Sequence, residues 1–415
     1  MHQMLLHSLA PSLDVLAAAE PDPTLAPTKR LTILLGAGAS VFANAPSTRR
    51  LTEIIRARPM SGAILHALQS GDGARDPNYE DAFYVLEQLE LLKSQAPDRA
   101  SLALMPFVQT VGDIGGITVD HEAVRRERFE VMEMISEAFS SVTYDTSWRT
   151  LADIFGELLT TFNLDIFTLN YDLLADVTVE GLSRITGKKW YNGFGSKIRG
   201  TDAPFDPCEY ASWNPAWGPK YLTLQHLHGS LGYLYADGTP FVHARRFVLQ
   251  EGQNIDYIRE NWEHMKRVAL TSPAEIFCRI APIVSGLHKL EKLNVQPYAN
   301  YYTAFARAVS DSPRLLIIGY GKGDEHINYW IQEFAQIHNQ AARVIEITNS
   351  DVPHTFAVQR ITQWDDLRWD QYRGLPDVFE SAAGVENLVF TCGLHEDANL
   401  PVRLQELALP FFEGT

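Results

Sequence analysis

The stretch LTILLGAGAS, residues 31–40, decides the fold of this chain. A short apolar run leads directly into Gly36 and Gly38, which is the pattern of a buried parallel strand that turns into a helix. Two glycines at this turn let backbone amides approach a pyrophosphate at a helix N-terminus. A bare turn is the alternative, because Val41 stands where the usual dinucleotide fingerprint has its third glycine. We predict the first βα unit of a sheet here.

Further strand-like runs follow along the chain, with helical patterns after several of them. They lie at residues 164–168, 221–227, 314–318 and 343–348. Strands that alternate with helices predict an α/β fold, a doubly wound parallel sheet that binds ligands at the carboxyl ends of its strands. Apolar residues at helical spacing over 79–92, 121–139 and 148–161 predict a helical insertion covering about 73–160.

These patterns divide the chain into three parts. Residues 1–30 form an N-terminal arm with a short helix beginning near Pro11, and 31–349 form the main domain with its insertion. Residues 350–415 form a C-terminal extension, with a strand expected at 387–391 and a helix near 401–409.

Composition excludes several classes of function. The formal net charge of −16 argues against direct binding to nucleic acid or to an anionic membrane, since both are bound by clustered Lys and Arg. No run of roughly 18 uninterrupted apolar residues is present to span a bilayer. The three cysteines are far apart and contain no C-x-x-C pair, so they build neither a zinc ribbon nor a disulfide framework: Cys208, Cys278 and Cys392. We expect a cytoplasmic, globular protein without a metal site.

An amide and a carboxylate follow the second predicted strand, at Asn170 and Asp172. At the mouth of a parallel sheet these groups can hold a water molecule and ribose hydroxyls. An Asx turn that caps the following helix is the alternative.

A histidine and a glycine, His228 and Gly229, end the next strand. The glycine permits close approach of a ligand, and the imidazole can act as a base near neutral pH. His226 competes for this role, but it lacks an adjoining glycine, and we interpret it as a strand residue with satisfied hydrogen bonds.

Two later strands end in similar turns. Gly319-Tyr320-Gly321 follows the strand at 314–318 and precedes Asp324, which is placed to cap a helix. Asn349 follows the strand at 343–348, where an amide can contact a ribose. An ordinary βα turn explains the Gly319-Tyr320-Gly321 turn equally well.

Taken in order, these motifs resemble those of the sirtuin family. The glycine loop matches the sirtuin pattern without a gap at Gly36, Ala37, Gly38, Ser40, Ala43, Pro46 and Arg49. The later sirtuin motifs are matched in sequence order at Thr168, Asn170, Asp172, His228, Gly229, Gly319 and Asn349. The resemblance spans about 31–349, without the helical insertion.

Departures from the sirtuin pattern indicate a branch of the family. Leu169 replaces the sirtuin Gln and Thr48 replaces a Phe that is thought to shield the cleaved ribose from water. No cysteine pairs lie between His228 and Gly319, where a deacetylase carries its zinc module. The Asn-Tyr-Asp and Gly-Tyr-Gly forms look like those of the bacterial sirtuin-like NADases of antiphage defence.

The resemblance implies NAD as substrate and a role for each matched residue. Asn170 would orient the water or ribose, His228 would accept a proton, and Asp172 would support this network. The remaining matched positions would hold the cofactor, with the glycine loop at the phosphates and the last two residues at the adenosine: Gly36, Ala37, Gly38, Ser40, Arg49, Thr168, Gly319 and Asn349. No zinc would take part.

The implied activity is NAD hydrolysis to nicotinamide and ADP-ribose, which would deplete NAD in abortive infection. An NAD-dependent deacylase or ADP-ribosyltransferase is the enzymatic alternative, and a catalytically silent module that senses NAD or ADP-ribose through a partner is the non-enzymatic one. Nicotinamide release from NAD alone would separate them.

An unrestrained NADase would starve its own cell, so control is expected. Only about 65 residues follow Asn349, too few for a sizeable sensor domain. We therefore expect a homo-oligomer with a separate protein partner, by resemblance a HerA-like ATPase or an Argonaute-like protein. Either terminal segment could supply the contact or simply pack on its own domain: Leu5, Leu9, Leu13 and Leu16, or Trp364, Trp369 and Tyr372.

Overall fold

The computed structural model describes most of the predicted main domain and parts of the C-terminal region. The described residues are 29–69, 76–93, 113–114, 117–139, 144–188, 190–197, 207–210, 222–231, 233–236, 243–247, 298–321, 324–348, 358–361, 386–391 and 400–413. Several predicted features lie outside them, namely the helix near Pro11, Asn349 and the aromatic residues Trp364, Trp369 and Tyr372.

Strands and helices alternate through the described residues. The strands are β1 Arg30–Leu35, β2 Asp113–Ile114, β3 Ile117–Thr118, β4 Asn163–Thr168, β5 Trp190–Tyr191, β6 Phe194–Lys197, β7 Pro207–Tyr210, β8 Leu222–His226, β9 Tyr233–Ala236, β10 His243–Phe247, β11 Arg314–Ile318, β12 Arg343–Thr348, β13 Val358–Ile361 and β14 Glu386–Thr391. The α-helices are α1 Thr48–Arg56, α2 Pro59–Gln69, α3 Tyr79–Lys93, α4 His121–Phe139, α5 Tyr144–Leu159, α6 Leu174–Thr186, α7 Tyr298–Asp311, α8 Glu325–His338 and α9 Leu400–Glu413. Two 3₁₀-helices cover Ala37–Ala43 and Asn339–Ala341.

The main sheet has eight strands in the order β13-β14-β12-β11-β1-β4-β8-β5. Its neighbouring strands run parallel, except that β13 is antiparallel to β14. The chain moves outward from β1 to β4 and β8, and later returns to the other side of β1 with β11. The sheet order therefore reverses between β1 and β11, and such a switch point is where open α/β sheets bind ligands.

Helices cover both faces of this sheet. Leu31, Ile33 and Leu35 of β1 belong to one buried cluster with apolar residues of α1 to α6 and α9. Leu34 belongs to a second cluster, which α7 and α8 complete. A strand buried on both faces accounts for the nearly continuous apolar run at 31–35, in which Thr32 is the one polar residue. The predicted doubly wound α/β sheet is confirmed.

The three helices predicted between the first two main strands are present as α3, α4 and α5. Their apolar residues belong to the same buried cluster as one face of the sheet. Arg58 links them to the preceding helices through ion pairs with Glu127 and Glu130. Burial alone would raise the pKa of Glu127, but hydrogen bonds from Arg58 and Ser61 bring this pKa below its usual value.

The C-terminal region completes the main sheet. Strand β14 pairs with β12 in parallel, and β13 adds the edge. Helix α9 packs beside it, with the Phe412 ring 6.0 Å from Phe162 and the Phe412 carbonyl accepting from Arg314 Nε at 2.8 Å. The predicted extension thus contributes to the core of the domain.

Two features of the fold are absent from the predictions. Strands β6, β7, β9 and β10 form a separate antiparallel sheet in the order β6-β7-β10-β9, and β2 and β3 form an antiparallel pair. Among the described helices, none combines the length and apolar character needed to cross a bilayer.

Candidate functional site

The loop after β1 packs backbone against backbone on the loop after β11. The Gly36 amide donates to the Ile318 carbonyl and the Gly38 amide to the Gly319 carbonyl, each at 2.8 Å. A Cβ on Gly36 would lie 2.5 Å from the Tyr320 Cα, and one on Gly38 would lie 2.8 Å from the Gly319 Cα. Because these two amides are engaged within the protein, phosphate contact by this loop stays a prediction that would use its other residues.

Gly319 has a structural reason to be glycine. Its φ of 64° lies in the left-handed region, and a Cβ there would lie 2.2 Å from the Ala39 nitrogen. Its amide donates to the Ile347 carbonyl of β12 at 2.8 Å. The residue thus joins three neighbouring strand ends, whereas its predicted contact with adenosine stays a prediction.

The loop after β4 orients the carboxamide of Asn170. Asn170 Nδ2 donates to Ser40 Oγ at 2.9 Å, and the Ser40 hydroxyl donates to the Asp172 carboxylate. Because the Ser40 oxygen accepts from the Asn170 nitrogen, its single hydroxyl hydrogen stays available for the Asp172 carboxylate. The Asn170 Oδ1 atom is buried and has no hydrogen-bond partner among the described residues. The structure therefore holds an acceptor in a fixed direction at the mouth of β4.

Asp172 makes the Asx-type contact that was the alternative considered for it, whereas contact with water or ribose stays a prediction. Its Oδ1 accepts from the Leu174 amide at 2.9 Å, which is the Asx-type contact at the start of α6. It also fixes Ser40, and through Ser40 it fixes Asn170. Burial raises the pKa of the Asp172 carboxyl, and the hydrogen bonds from Leu174 and Ser40 offset this only in part.

Thr168 also stabilises the loop after β4. Its hydroxyl oxygen accepts from the Asn170 amide at 3.1 Å, and its side chain is buried. Arg49, in contrast, lies on the exposed face of α1, where its Nε donates to Glu53 Oε1 at 3.1 Å. The structure therefore brings Ser40, Thr168, Asn170 and Asp172 together and leaves Arg49 apart from them.

His226 is buried and bonded on both ring nitrogens. Its Nε2 lies 2.8 Å from Asp176 Oδ2 and its Nδ1 lies 3.3 Å from the Asn170 carbonyl oxygen. The interpretation of His226 as a satisfied strand residue is confirmed. The contact with Asn170 adds a supporting role for the site that the sequence did not indicate.

His228 lies against a second histidine that the sequence analysis did not identify. His228 Nε2 is 3.0 Å from His326 Nε2, and the two rings are 5.2 Å apart. Asp324 Oδ1 is 3.7 Å from His228 Nε2. Asp324 stands at the N-cap of α8 as predicted, but its side chain makes no capping hydrogen bond, so the predicted capping role is wrong.

His326 is held in this position by its own neighbours. Tyr302 Oη donates to the His326 carbonyl at 2.7 Å, and the Tyr302 ring lies 5.8 Å from the imidazole. The only sequence signal for His326 is its place two residues after Asp324, at the start of a helix that follows a glycine turn. It is 98 residues from His228 along the chain, so no local motif joins them.

Comparisons with known proteins add little to this geometry. No protein-family model and no curated protein match the chain. One solved structure, which concerns the structural basis for the mechanism and regulation of Sir2 enzymes, is similar to it at 11% identity and a TM-score of 0.33. The match covers 84% of this chain and 87% of that one. The fold assignment therefore depends on the sheet order and registers described above.

Proposed function

We propose that this chain hydrolyses NAD, releasing nicotinamide and ADP-ribose. The observation that carries the proposal is the buried Oδ1 of Asn170, which has no hydrogen-bond partner in the part of the chain that the structure describes. The Ser40 and Asp172 network aims this atom in one direction. A buried acceptor without a partner costs free energy, roughly 1–3 kcal/mol, unless a ligand or a water molecule donates to it. A ribose hydroxyl or the attacking water would supply that donor.

The reaction needs a positioned water and a proton acceptor. When the bond between nicotinamide and C1′ of the ribose breaks, its electron pair leaves with nicotinamide and positive charge develops on the ribose. The oxygen of water then bonds to C1′, and its proton passes to the enzyme. Asn170 orients the water or ribose, and His228 receives the proton.

The neighbours of His228 suit this role. A proton on His228 can be shared with His326 across the 3.0 Å contact between their Nε2 atoms. The Asp324 carboxylate lies 3.7 Å from His228 Nε2, close enough to form an ion pair once the imidazole has taken up the proton. The sequence resemblance to sirtuin-like NADases supports the same assignment of Asn170 and His228.

The test is nicotinamide release from NAD by the purified chain, alone or with its activating partner. We expect release without any acylated peptide, without added zinc and in the presence of a chelator. Turnover that depends strictly on an acyl-lysine substrate would favour the deacylase alternative and contradict the proposal. Tight NAD binding without turnover under every condition would favour the sensing module.

We further propose a cytoplasmic role in antiphage defence, with the NADase controlled by assembly. A homo-oligomer would bind a separate partner of the HerA-like ATPase or Argonaute-like class. The support is the resemblance to two-gene defence systems and the harm that uncontrolled NAD loss would cause. Light scattering and NAD turnover, with and without the product of the neighbouring gene, test this. A monomer that is fully active alone and harmless when expressed would contradict it.

A further inference from the structure

Three metal-ligand atoms converge at the end of β8 and the start of α8. They are one ring nitrogen each of His228 and His326 and a carboxylate oxygen of Asp324, and all lie within 4.8 Å of one another. Both imidazoles are buried, and the Asp324 side chain is 16% exposed. The cluster is thus largely buried, and its carboxylate is the most exposed of the three groups.

The separations suit ligands of a single divalent ion. Ligand atoms about 2.1 Å from one ion lie roughly 3.0 to 3.4 Å from each other at octahedral to tetrahedral angles. The two Nε2 atoms are 3.0 Å apart, and Asp324 Oδ1 is 3.7 Å from His228 Nε2. A modest side-chain adjustment would place all three at bonding distance.

A hydrogen bond between the two imidazoles explains only part of this arrangement. It accounts for the contact between His228 and His326 but not for the carboxylate. An Asp at an N-cap ordinarily accepts from the first helical amides, yet Asp324 makes no such bond in α8. Its carboxylate lies near the histidine pair, as a third ligand would.

The backbone around the cluster is fixed by two tyrosines. Tyr302 Oη donates to the His326 carbonyl at 2.7 Å, and Tyr320 Oη accepts from the Asp324 amide at 3.2 Å. Tyr320 Oη also donates to Asn328 Oδ1 at 2.9 Å. These contacts hold the first turn of α8, so the positions of Asp324 and His326 are set before any ligand binds.

We propose that His228, Asp324 and His326 bind a divalent transition-metal ion such as Zn²⁺, Co²⁺ or Ni²⁺. Imidazole ligands favour these ions over Mg²⁺ and Ca²⁺, which take oxygen ligands. Three protein ligands leave at least one position for water. The site departs from the sequence-based expectation of no metal, which considered only the spacing of the cysteines.

The bound ion inhibits the enzyme, a consequence that depends on the proposed function. A metal on His228 Nε2 occupies the lone pair that would otherwise accept the proton from water. NAD hydrolysis therefore proceeds without metal and slows as the site fills. The bound ion is therefore an inhibitor, and NAD hydrolysis continues in the presence of a chelator.

Direct binding of Co²⁺ to the full chain tests the site independently of turnover. The protein is first treated with chelator and dialysed, then titrated with Co²⁺ while its visible d–d absorption is recorded. We expect saturation at a single ion per chain, with affinity at least about tenfold lower in Asp324→Asn and His326→Gln. His338→Ala, which alters the far end of the same helix, is the matched control and keeps normal affinity.

The outcomes separate the two proposals. Equal Co²⁺ affinity in the wild type, Asp324→Asn and His326→Gln would overturn the metal site, because binding would then occur elsewhere. Loss of binding in both variants with normal circular dichroism supports it, whether or not NAD is turned over. Tight Co²⁺ binding that leaves nicotinamide release unchanged would keep the site and overturn inhibition through His228.

Discussion

At the scale of single residues, the contacts around a side chain distinguish two histidines that lie close together along the chain. His226 and His228 are both buried on the same segment. His226 is bonded to Asp176 and to the Asn170 carbonyl, whereas His228 faces His326 and Asp324. The sequence distinguished the two histidines only by the glycine that follows His228, from which ligand access was predicted. His326 could not be predicted, because only the fold brings two residues so far apart along the chain together.

Ser40→Ala tests the orientation of the Asn170 carboxamide. Removing the hydroxyl takes away the acceptor for Asn170 Nδ2 and the donor to Asp172. We expect a roughly 100-fold fall in NAD turnover, since a small misplacement of a positioning group has this order of effect. Losing the buried hydrogen bonds would cost about 1–3 kcal/mol of unfolding free energy. Steady-state kinetics and thermal melts measure the two effects.

Ser47→Ala is the matched control for that variant. Ser47 caps α1 by accepting from the Arg50 amide, and its side chain is exposed. Loss of the Ser47 hydroxyl should lower the free energy of unfolding by about 0.5–2 kcal/mol and leave NAD turnover unchanged. Equal turnover by Ser40→Ala and Ser47→Ala would show that Ser40 does not orient the reacting groups.

At the scale of elements, most of the main sheet could be predicted from its sequence pattern. The runs at 31–35, 164–168, 221–227, 314–318 and 343–348 contain strands in the structure, because short, mainly apolar stretches are typical of strands that are buried on both faces. Strands β5 and β6 are two of the strands that were not predicted. They have two and four residues, too few for a periodic pattern to appear.

The glycines of the site could be located from the sequence, but their purpose could not. Gly36, Gly38 and Gly319 pack two loops backbone to backbone at the switch point between β1 and β11. A motif typical of phosphate binding thus also has a packing requirement, and only three-dimensional contacts distinguish the two. The structure shows the packing requirement directly.

Substitution of two glycines on the same loop tests this packing. Gly319→Ala places a Cβ 2.2 Å from the Ala39 nitrogen at a φ of 64°, so we expect a loss of about 1–3 kcal/mol or more. A Cβ on Gly321 would meet nothing within 4 Å, and Gly321→Ala should unfold at the wild-type denaturant concentration. Chemical denaturation measures both. Similar midpoints for the two variants would contradict close packing at Gly319.

At the scale of the whole molecule, the helical segment and the C-terminal region share one core with the sheet. Phe412 of α9 is fully buried in the cluster that contains Leu31 and Ile33 of β1. Composition and spacing did not predict this, because strand order and docking of distant segments are tertiary properties. The predicted extension therefore stabilises the domain that carries the site.

Phe412→Ala measures that contribution. Phe412 packs at 6.0 Å from the Phe162 ring, and its removal leaves a cavity that should cost about 3–5 kcal/mol. Phe411→Ala removes a neighbouring, partly buried ring and should cost less than half as much. Equilibrium unfolding provides both values. Equally small losses of unfolding free energy in Phe412→Ala and Phe411→Ala would indicate that α9 is peripheral to the fold.

The most direct measurement for the central claim is the rate of nicotinamide release from NAD, with no acylated peptide, by the wild type and three folded variants. We expect Asn170→Ala and His228→Ala each to lose about 10²- to 10⁴-fold in rate with unchanged circular dichroism. His226→Ala should affect stability more than rate, because His226 contacts Asp176 and the Asn170 carbonyl. Near wild-type release by Asn170→Ala, or a larger rate loss in His226→Ala than in His228→Ala, would contradict the account.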